Sequence, residues 1–168
     1  MDCYGRRMAA RQRSQASTPA HPSGVAWAGD LIRLEIALWD RVDTRLQESH
    51  ELPLAFFEPL LLISRAPGGS MRVGDLARAL RITVGGTSKL VDRIERTGLI
   101  AREPDPDDRR ASRLALTTAG KRKLTAAVKT YEAQVGSILA GVLSPQEQDH
   151  MSDYVTRVLT AIDHGEGT

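Results

Sequence analysis

The four histidines, His21, His50, His150 and His164, are scattered through the chain with no metal-ligand or triad spacing. The single cysteine, Cys3, rules out a cysteine pair and an intramolecular disulfide. No phosphate-cradling glycine motif and no H-E-x-x-H helix occurs. Neither catalysis nor metal binding finds a constellation to rest on, and no cofactor is implied. What remains is a set of hydrogen-bond donors around an odd pair of glycines. In "RITVGGTSKLVDRIERTG", residues 81–98, Gly85 and Gly86 stand side by side and are followed by Ser88, Lys89, Arg93 and Arg96. A second cluster, "PDPDDRR", residues 104–110, ends in Arg109 and Arg110. Ser, Lys and Arg are the side chains that bond phosphate oxygens and base edges. The glycines pose their own question, because each costs a helix roughly 1 kcal/mol relative to alanine. Either this helix begins badly, or something must come very close to its backbone.

Charge is distributed to match. The chain of 168 residues carries a net +2. Residues 72–123 hold thirteen Lys/Arg against seven Asp/Glu, a local +6, and residues 1–24 a local +3. Residues 25–71 and 124–168 are acidic, at −3 and −4. A basic middle on an acidic frame is the footprint of a nucleic-acid partner. Hydrophobic content of 41% supports a core, and aromatic content of 4% makes that core mainly Leu, Ile, Val and Ala. The longest obvious apolar run, Leu60-Leu61-Leu62-Ile63, falls far short of the ~20 residues of a membrane span. Arg6-Arg7 lacks the apolar region an export signal needs, so residues 1–24 read as a disordered basic tail and the protein as cytoplasmic.

Several elements must position these donors. Leu31, Leu34, Leu38, Val42 and Leu46 form one stripe over a helix at 27–47. A second helix runs from Pro53 to about Arg65, with Pro59 inside it predicting a kink or a late start. "APGGS", 66–70, reads as a loop. Two short helices follow, about 73–80 and 83–97, joined by only Arg81 and Ile82. Thr83 is the N-cap of the second and Gly98 stands just past its end. "LIARE", 99–103, and "ASRLAL", 111–116, are strand-length pieces around the turn "PDPDDRR". A helix-turn-helix followed by a two-stranded hairpin is a winged helix. Thr117 then caps a helix carrying Leu124, Val128, Tyr131, Val135, Ile138 and Val142, a seam of alternating threes and fours that asks for a partner helix. Ser144-Pro145-Gln146-Glu147 is a capping box with proline at its first helical position. It opens a last helix to about Ile162, with Met151, Tyr154, Val155, Val158 and Ile162 on one side.

The stretch 73–120, with "DLARAL", "LVDRIERTGLIAR", "DPDDRR" and "LTTAG" in order, resembles the winged helix of the MarR family of bacterial transcriptional regulators. The flanking helices match too, so the likeness spans about 27–163. It implies a mainly α fold with a small β-wing. Residues 25–168 would form one domain, with a winged helix-turn-helix DNA-binding lobe at 53–117 and dimerisation helices at 27–47 and 118–163. It further implies a homodimer that binds a pseudo-palindromic duplex, acting as a repressor. Two positions depart from the family pattern. Arg81 fills the inter-helix turn where glycine is usual, and Gly85-Gly86 replace residues that normally carry side chains.

In such a fold the second helix of the motif enters the major groove, N-terminal end first. The expected DNA contacts are Thr83, Gly85, Gly86, Thr87, Ser88, Lys89 and Arg93 on that helix, with Arg109, Arg110 and Arg113 on the wing. By resemblance, Arg110 reaches into the minor groove and Asp108 is the acid that fixes the turn. Arg72 and Arg96 are further basic groups nearby, whereas Asp92 and Glu95 would repel DNA. Many relatives release DNA on binding a small anionic or phenolic inducer. Trp39, His50, Phe56, Phe57 and Arg65 are the residues here that could stack on or pair with one. Cys3 lies in the tail, which leaves no thiol in the folded body for peroxide sensing. The competing readings are a protein-interaction adaptor whose winged helix does not bind DNA, and a small helical enzyme lacking any visible catalytic group.

Overall fold

Helix α2, Leu54–Arg65, turns six of its twelve side chains inward, and the core is assembled on it. Its buried residues Phe57, Leu60 and Ile63 join Val42, Leu46, Leu76, Val91, Ile94, Leu114 and Leu124 in one cluster. The computed structural model describes residues 24–106, 108 and 111–165. Two units are distinguished, Met1–Glu35 and Ile36–Thr168. In the first, the described residues are the opening turns of α1 (Gly24–His50), with Val25, Trp27, Leu31, Ile32 and Leu34 exposed. Gly24, expected in the tail, is helical. The rest of the tail, with Cys3 and Arg6-Arg7, lies outside the described residues.

The second unit contains everything else. Helix α1 ends at His50, and Glu51 turns the chain with a φ of 50°. Pro53 precedes α2 without offering a side-chain cap. Asp43, on α1, takes that role and accepts from the Leu54 N–H at 2.6 Å. Pro59 neither delays nor interrupts the helix, contrary to the expected late start. The carbonyl it leaves unbonded belongs to Ala55, an exposed residue, where water can replace the lost donor. The ring of Pro59 is itself buried in the core.

After a 3-10 turn at Pro67–Gly69 comes a strand that the sequence hid, β1 (Ser70–Arg72). It pairs antiparallel with β3 (Ser112–Leu116), which also pairs with β2 (Ile100–Pro104), so the sheet order is β1-β3-β2. Between β1 and β2 lie α3 (Val73–Leu80) and α4 (Val84–Arg96). The hairpin and helix pair expected from sequence are present, and the sheet has gained a third strand.

On helix α5 (Thr118–Ala140) the seam finds its partner within the chain. Leu124 is buried, and Val128, Tyr131 and Val135 pack against the chain's own core. Tyr131 stacks on Phe57 with centroids 5.1 Å apart and planes 9° from parallel. Burial holds the Tyr131 hydroxyl above its ordinary pKa, with Glu58 adding to the effect. Only the end of the seam stays open, Val142 being 76% exposed. Helix α6 (Pro145–Gly165) buries no residue at all, and Tyr154, Val155, Val158, Leu159 and Ile162 are exposed along it. No helix among the described residues is long and apolar enough to cross a membrane.

Candidate nucleic-acid interface

Helix α4 is fixed on its inner side and open on its outer one. Thr87, Val91 and Ile94 are buried, at the spacing of one helix face. Thr83 caps the start, its Oγ1 accepting from the Gly86 N–H at 3.1 Å. Thr87, expected among the DNA contacts, is fully buried and donates its hydroxyl to the Thr83 carbonyl at 3.0 Å. It holds the capped turn together from inside and is out of reach of a ligand. Gly85 and Gly86 are exposed, and so is Lys89. A Cβ at Gly85 would meet nothing within 4 Å, so nothing inside the protein demands glycine there. Ser88 donates its hydroxyl to the Val84 carbonyl at 2.9 Å, which leaves its lone pairs as acceptors.

The turn before α4 is strained and is held by hydrogen bonds and an ion pair. Arg81 lies in the left-handed region at φ 55°, ψ 35°, the conformation its non-glycine identity makes costly. Its N–H bonds Arg78 O at 3.2 Å and that of Ile82 bonds Ala77 O at 3.1 Å, closing the end of α3. Its guanidinium pairs with Asp163 of α6.

Further along α4 the acids are dealt with internally. Arg102, on β2, donates to Asp92 at 2.7 Å and also pairs with Glu95. These bonds hold the Arg102 pKa above its ordinary value, the Asp92 hydrogen bond being the largest cause. The two carboxylates that would repel DNA thereby share one cation, which offsets half of their charge. Arg93, expected to meet a phosphate, lies over the Phe56 ring, 5.3 Å from its centroid. Such a contact ties α4 to α2 and leaves one face of the guanidinium exposed.

At the base of the wing the buried acid is Asp105. Its carboxylate accepts from Arg72 Nε at 2.8 Å and lies 3.6 Å from Arg113 Nη1. Arg72 is held above its ordinary pKa, first by this hydrogen bond and then by the charge of Asp105. Arg113 also donates to Ser70 Oγ and Ser70 O, at 2.9 and 2.8 Å. Asp105 thus pins β1 and β3 together below the wing. Asp108 is exposed and closes the hairpin through its carbonyl, which accepts from the Ala111 N–H at 2.9 Å. Arg109 and Arg110, the expected wing-tip contacts, lie outside the described residues.

The five inducer candidates fall in different settings. Phe56 and Phe57 are core, Trp39 packs against it, and Arg65 is exposed at the end of α2. His50 Nε2 is 2.7 Å from Thr130 Oγ1, and its carbonyl accepts from Lys123 Nζ at 2.8 Å. A shallow cleft of about 320 Å³ is lined by Arg45, Lys129, Thr130, Ala133 and Gln134, none of them a candidate.

Known proteins share this arrangement. A sequence profile of the MarR family matches residues 59–111. The transcriptional activatory protein BadR of Rhodopseudomonas palustris is 31% identical over 121 residues, covering 71% of this chain and 69% of BadR. The chain belongs to the MarR family. YcgE of Bacillus subtilis, an uncharacterized HTH-type transcriptional regulator, is 39% identical over 56 residues. That match covers 33% of this chain, and the chain spans only 36% of the length of YcgE. The crystal structure of Sco3205, a MarR family transcriptional regulator from Streptomyces coelicolor in complex with DNA, superimposes with a TM-score of 0.72 at 25% identity. It covers 82% of this chain and 89% of its own.

Within this MarR-family chain, three site residues escaped the sequence. Asp105 is one of three aspartates in a single turn, and only its buried partners distinguish it. Arg102 reads as an ordinary strand cation until α4 lies beside it. Gly120, in "LTTAG", carries the clearest signal of the three, since glycine inside a capped helix start asks for a close neighbour. That neighbour is the Leu99 carbonyl, 1.9 Å from where a Cβ would stand.

Proposed function

We propose that this protein is a homodimeric, cytoplasmic DNA-binding regulator whose α4 enters the major groove of a pseudo-palindromic operator. The observation that carries the reading is the asymmetry of α4. Its inner face is locked into the core, while its first turn is exposed, capped by threonine and followed by Lys89. Backbone N–H groups at such a start are good phosphate donors. Arg110 on the wing is the group suited to a narrow, A/T-rich minor groove. Asp105 holds the base of the wing through Arg72 and Arg113. The bare apolar face of α6, with Tyr154, Val155, Val158 and Ile162, supports pairing with a second copy. Bound across a promoter, such a dimer excludes polymerase and represses. Small-molecule release remains part of the reading, with an anionic or phenolic compound as inducer.

A gel shift with the DNA upstream of the protein's own gene tests this directly. Binding should weaken log-linearly with salt, because several phosphates are neutralised per subunit. Half-sites should lie about one helical turn, ~10 bp, apart. Affinity that barely changes between low and physiological salt rules out this mode. No shift on any duplex returns the protein to the adaptor reading. Repeating the titration with a panel of phenolic acids tests release.

A further inference from the structure

Val84, the first residue of α4, is 58% exposed, and Ile82, on the other side of the capping Thr83, is 45% exposed. Two β-branched aliphatic side chains therefore stand in water at the N-terminal tip of the helix, ahead of its buried stripe. Gly85 beside Val84 offers no side chain to shield it, and the space around the Gly85 Cα is open. One turn on, the Ser88 hydroxyl donates its proton inward to the Val84 carbonyl, which fixes that hydroxyl in a polar role behind the valine. The tip thus presents an apolar surface framed by an acceptor hydroxyl and the Lys89 ammonium.

The major groove holds one apolar feature among its donors and acceptors, the C5-methyl of thymine. We propose that Val84 determines sequence specificity by packing on that methyl, so that each half-site carries a thymine under the tip of α4. This inference rests on α4 being the recognition helix. A side chain at Gly85 would hold the valine away from the groove floor, so the glycine and the valine serve one close approach.

The test uses the full-length protein and an operator defined by footprinting. Each thymine is replaced singly by deoxyuridine, which keeps base pairing and every polar atom and removes the methyl alone. One thymine position per half-site should lose about fourfold in affinity, the worth of one buried methyl. Val84→Ala, at an exposed helix start, should keep its melting temperature and bind thymine and deoxyuridine operators equally at that position. Its response at other thymines should match wild type. If wild type is insensitive at every thymine, or Val84→Ala keeps the full discrimination, the proposal is overturned while DNA binding stands. If wild type binds no duplex at all, the recognition-helix reading fails, and this proposal with it.

Discussion

Helices α4 and α5 begin with the same device and use it for opposite purposes. Each opens on Thr-x-x-Gly, Thr83 to Gly86 and Thr117 to Gly120, and in each the threonine Oγ1 accepts from the glycine N–H. At α5 the glycine is demanded from within. A Cβ on Gly120 would stand 1.9 Å from the Leu99 carbonyl oxygen and 2.9 Å from its carbon. The Thr117 hydroxyl donates to Gly98 O at 2.7 Å, and its N–H bonds Leu99 O at 3.1 Å, so α5 is bolted to the turn that ends α4. At α4 a Cβ on the matching glycine, Gly86, would meet only the Thr83 hydroxyl, at 3.2 Å, and one on Gly85 would meet nothing within 4 Å. Backbone packing thus requires glycine at the α5 start and does not require it at the α4 start.

The largest expected effect follows from the α5 start. Gly120→Ala sets a methyl against backbone, which cannot rotate away, so α5 or the 97–99 turn must shift. Overpacking costs roughly 1–3 kcal/mol, and a clash with backbone belongs at the upper end of that range. The variant should be insoluble or melt far below wild type. A melting temperature within a few degrees of wild type would show that the two starts are alike after all.

The caps themselves sharpen the contrast. Thr117→Ala removes both a donor and an acceptor contact and should cost about 2 kcal/mol in chemical denaturation. Thr83→Ala removes one acceptor from an exposed turn and should cost about 1 kcal/mol or less. Equal costs would mean that the α5 start is held by packing alone.

Smaller still are the outward glycines, where stability and affinity should part company. Gly85→Ala should stabilise the free protein by up to about 1 kcal/mol. Gly86→Ala should gain less, because its Cβ would lie 3.2 Å from Thr83 Oγ1 and the cap must give by a few tenths of an ångström. Both should lower operator affinity by holding the first turn off the DNA. A more stable variant with undiminished affinity breaks the comparison, and Gly85 is then only a poor helix former.

What could be read from the sequence was local. Thr83, Thr117 and the Ser144 box are caps whose partners lie three residues away, and all three form as expected. The turn at Arg81 was marked in advance because the resemblance puts glycine there, and Arg81 adopts a φ of 55°. What escaped depends on distant chain. Strand β1 has three residues and no alternation, and it exists because β3, forty residues on, pairs with it. The seam on α5 asked for an apolar partner, and periodicity has no means of choosing between α2 and a second copy. Thr87 and Asp105 carry polar groups of the kind a site needs, and only burial shows that both work behind the surface.

A third capped start supplies the smallest effect and the one that depends on pH. Helix α6 begins at Ser144, whose hydroxyl and N–H donate to Glu147 Oε2 at 2.7 and 2.8 Å, while the Glu147 N–H reaches back to Ser144 Oγ at 3.4 Å. Threonine caps do not titrate, but this one does. The Ser144 hydroxyl, and after it the Ser144 N–H, hold the Glu147 carboxyl below its ordinary value of 4.5. A carboxyl whose pKa is lowered on folding stabilises the fold above the unfolded value and loses that contribution as pH falls through the folded one. Acidification below the ordinary carboxylate range should therefore loosen the first turn of α6 and leave the threonine-capped turns of α4 and α5 unchanged. Because Glu147 is exposed, the change should appear as faster amide exchange at the start of α6, with global unfolding little affected. Ser144→Ala removes the larger of the two causes, so the Glu147 carboxyl carbon, followed by NMR, should titrate closer to its ordinary value. If that titration does not move, the capping box is a geometric coincidence and α6 begins where it does because Pro145 cannot sit further inside a helix.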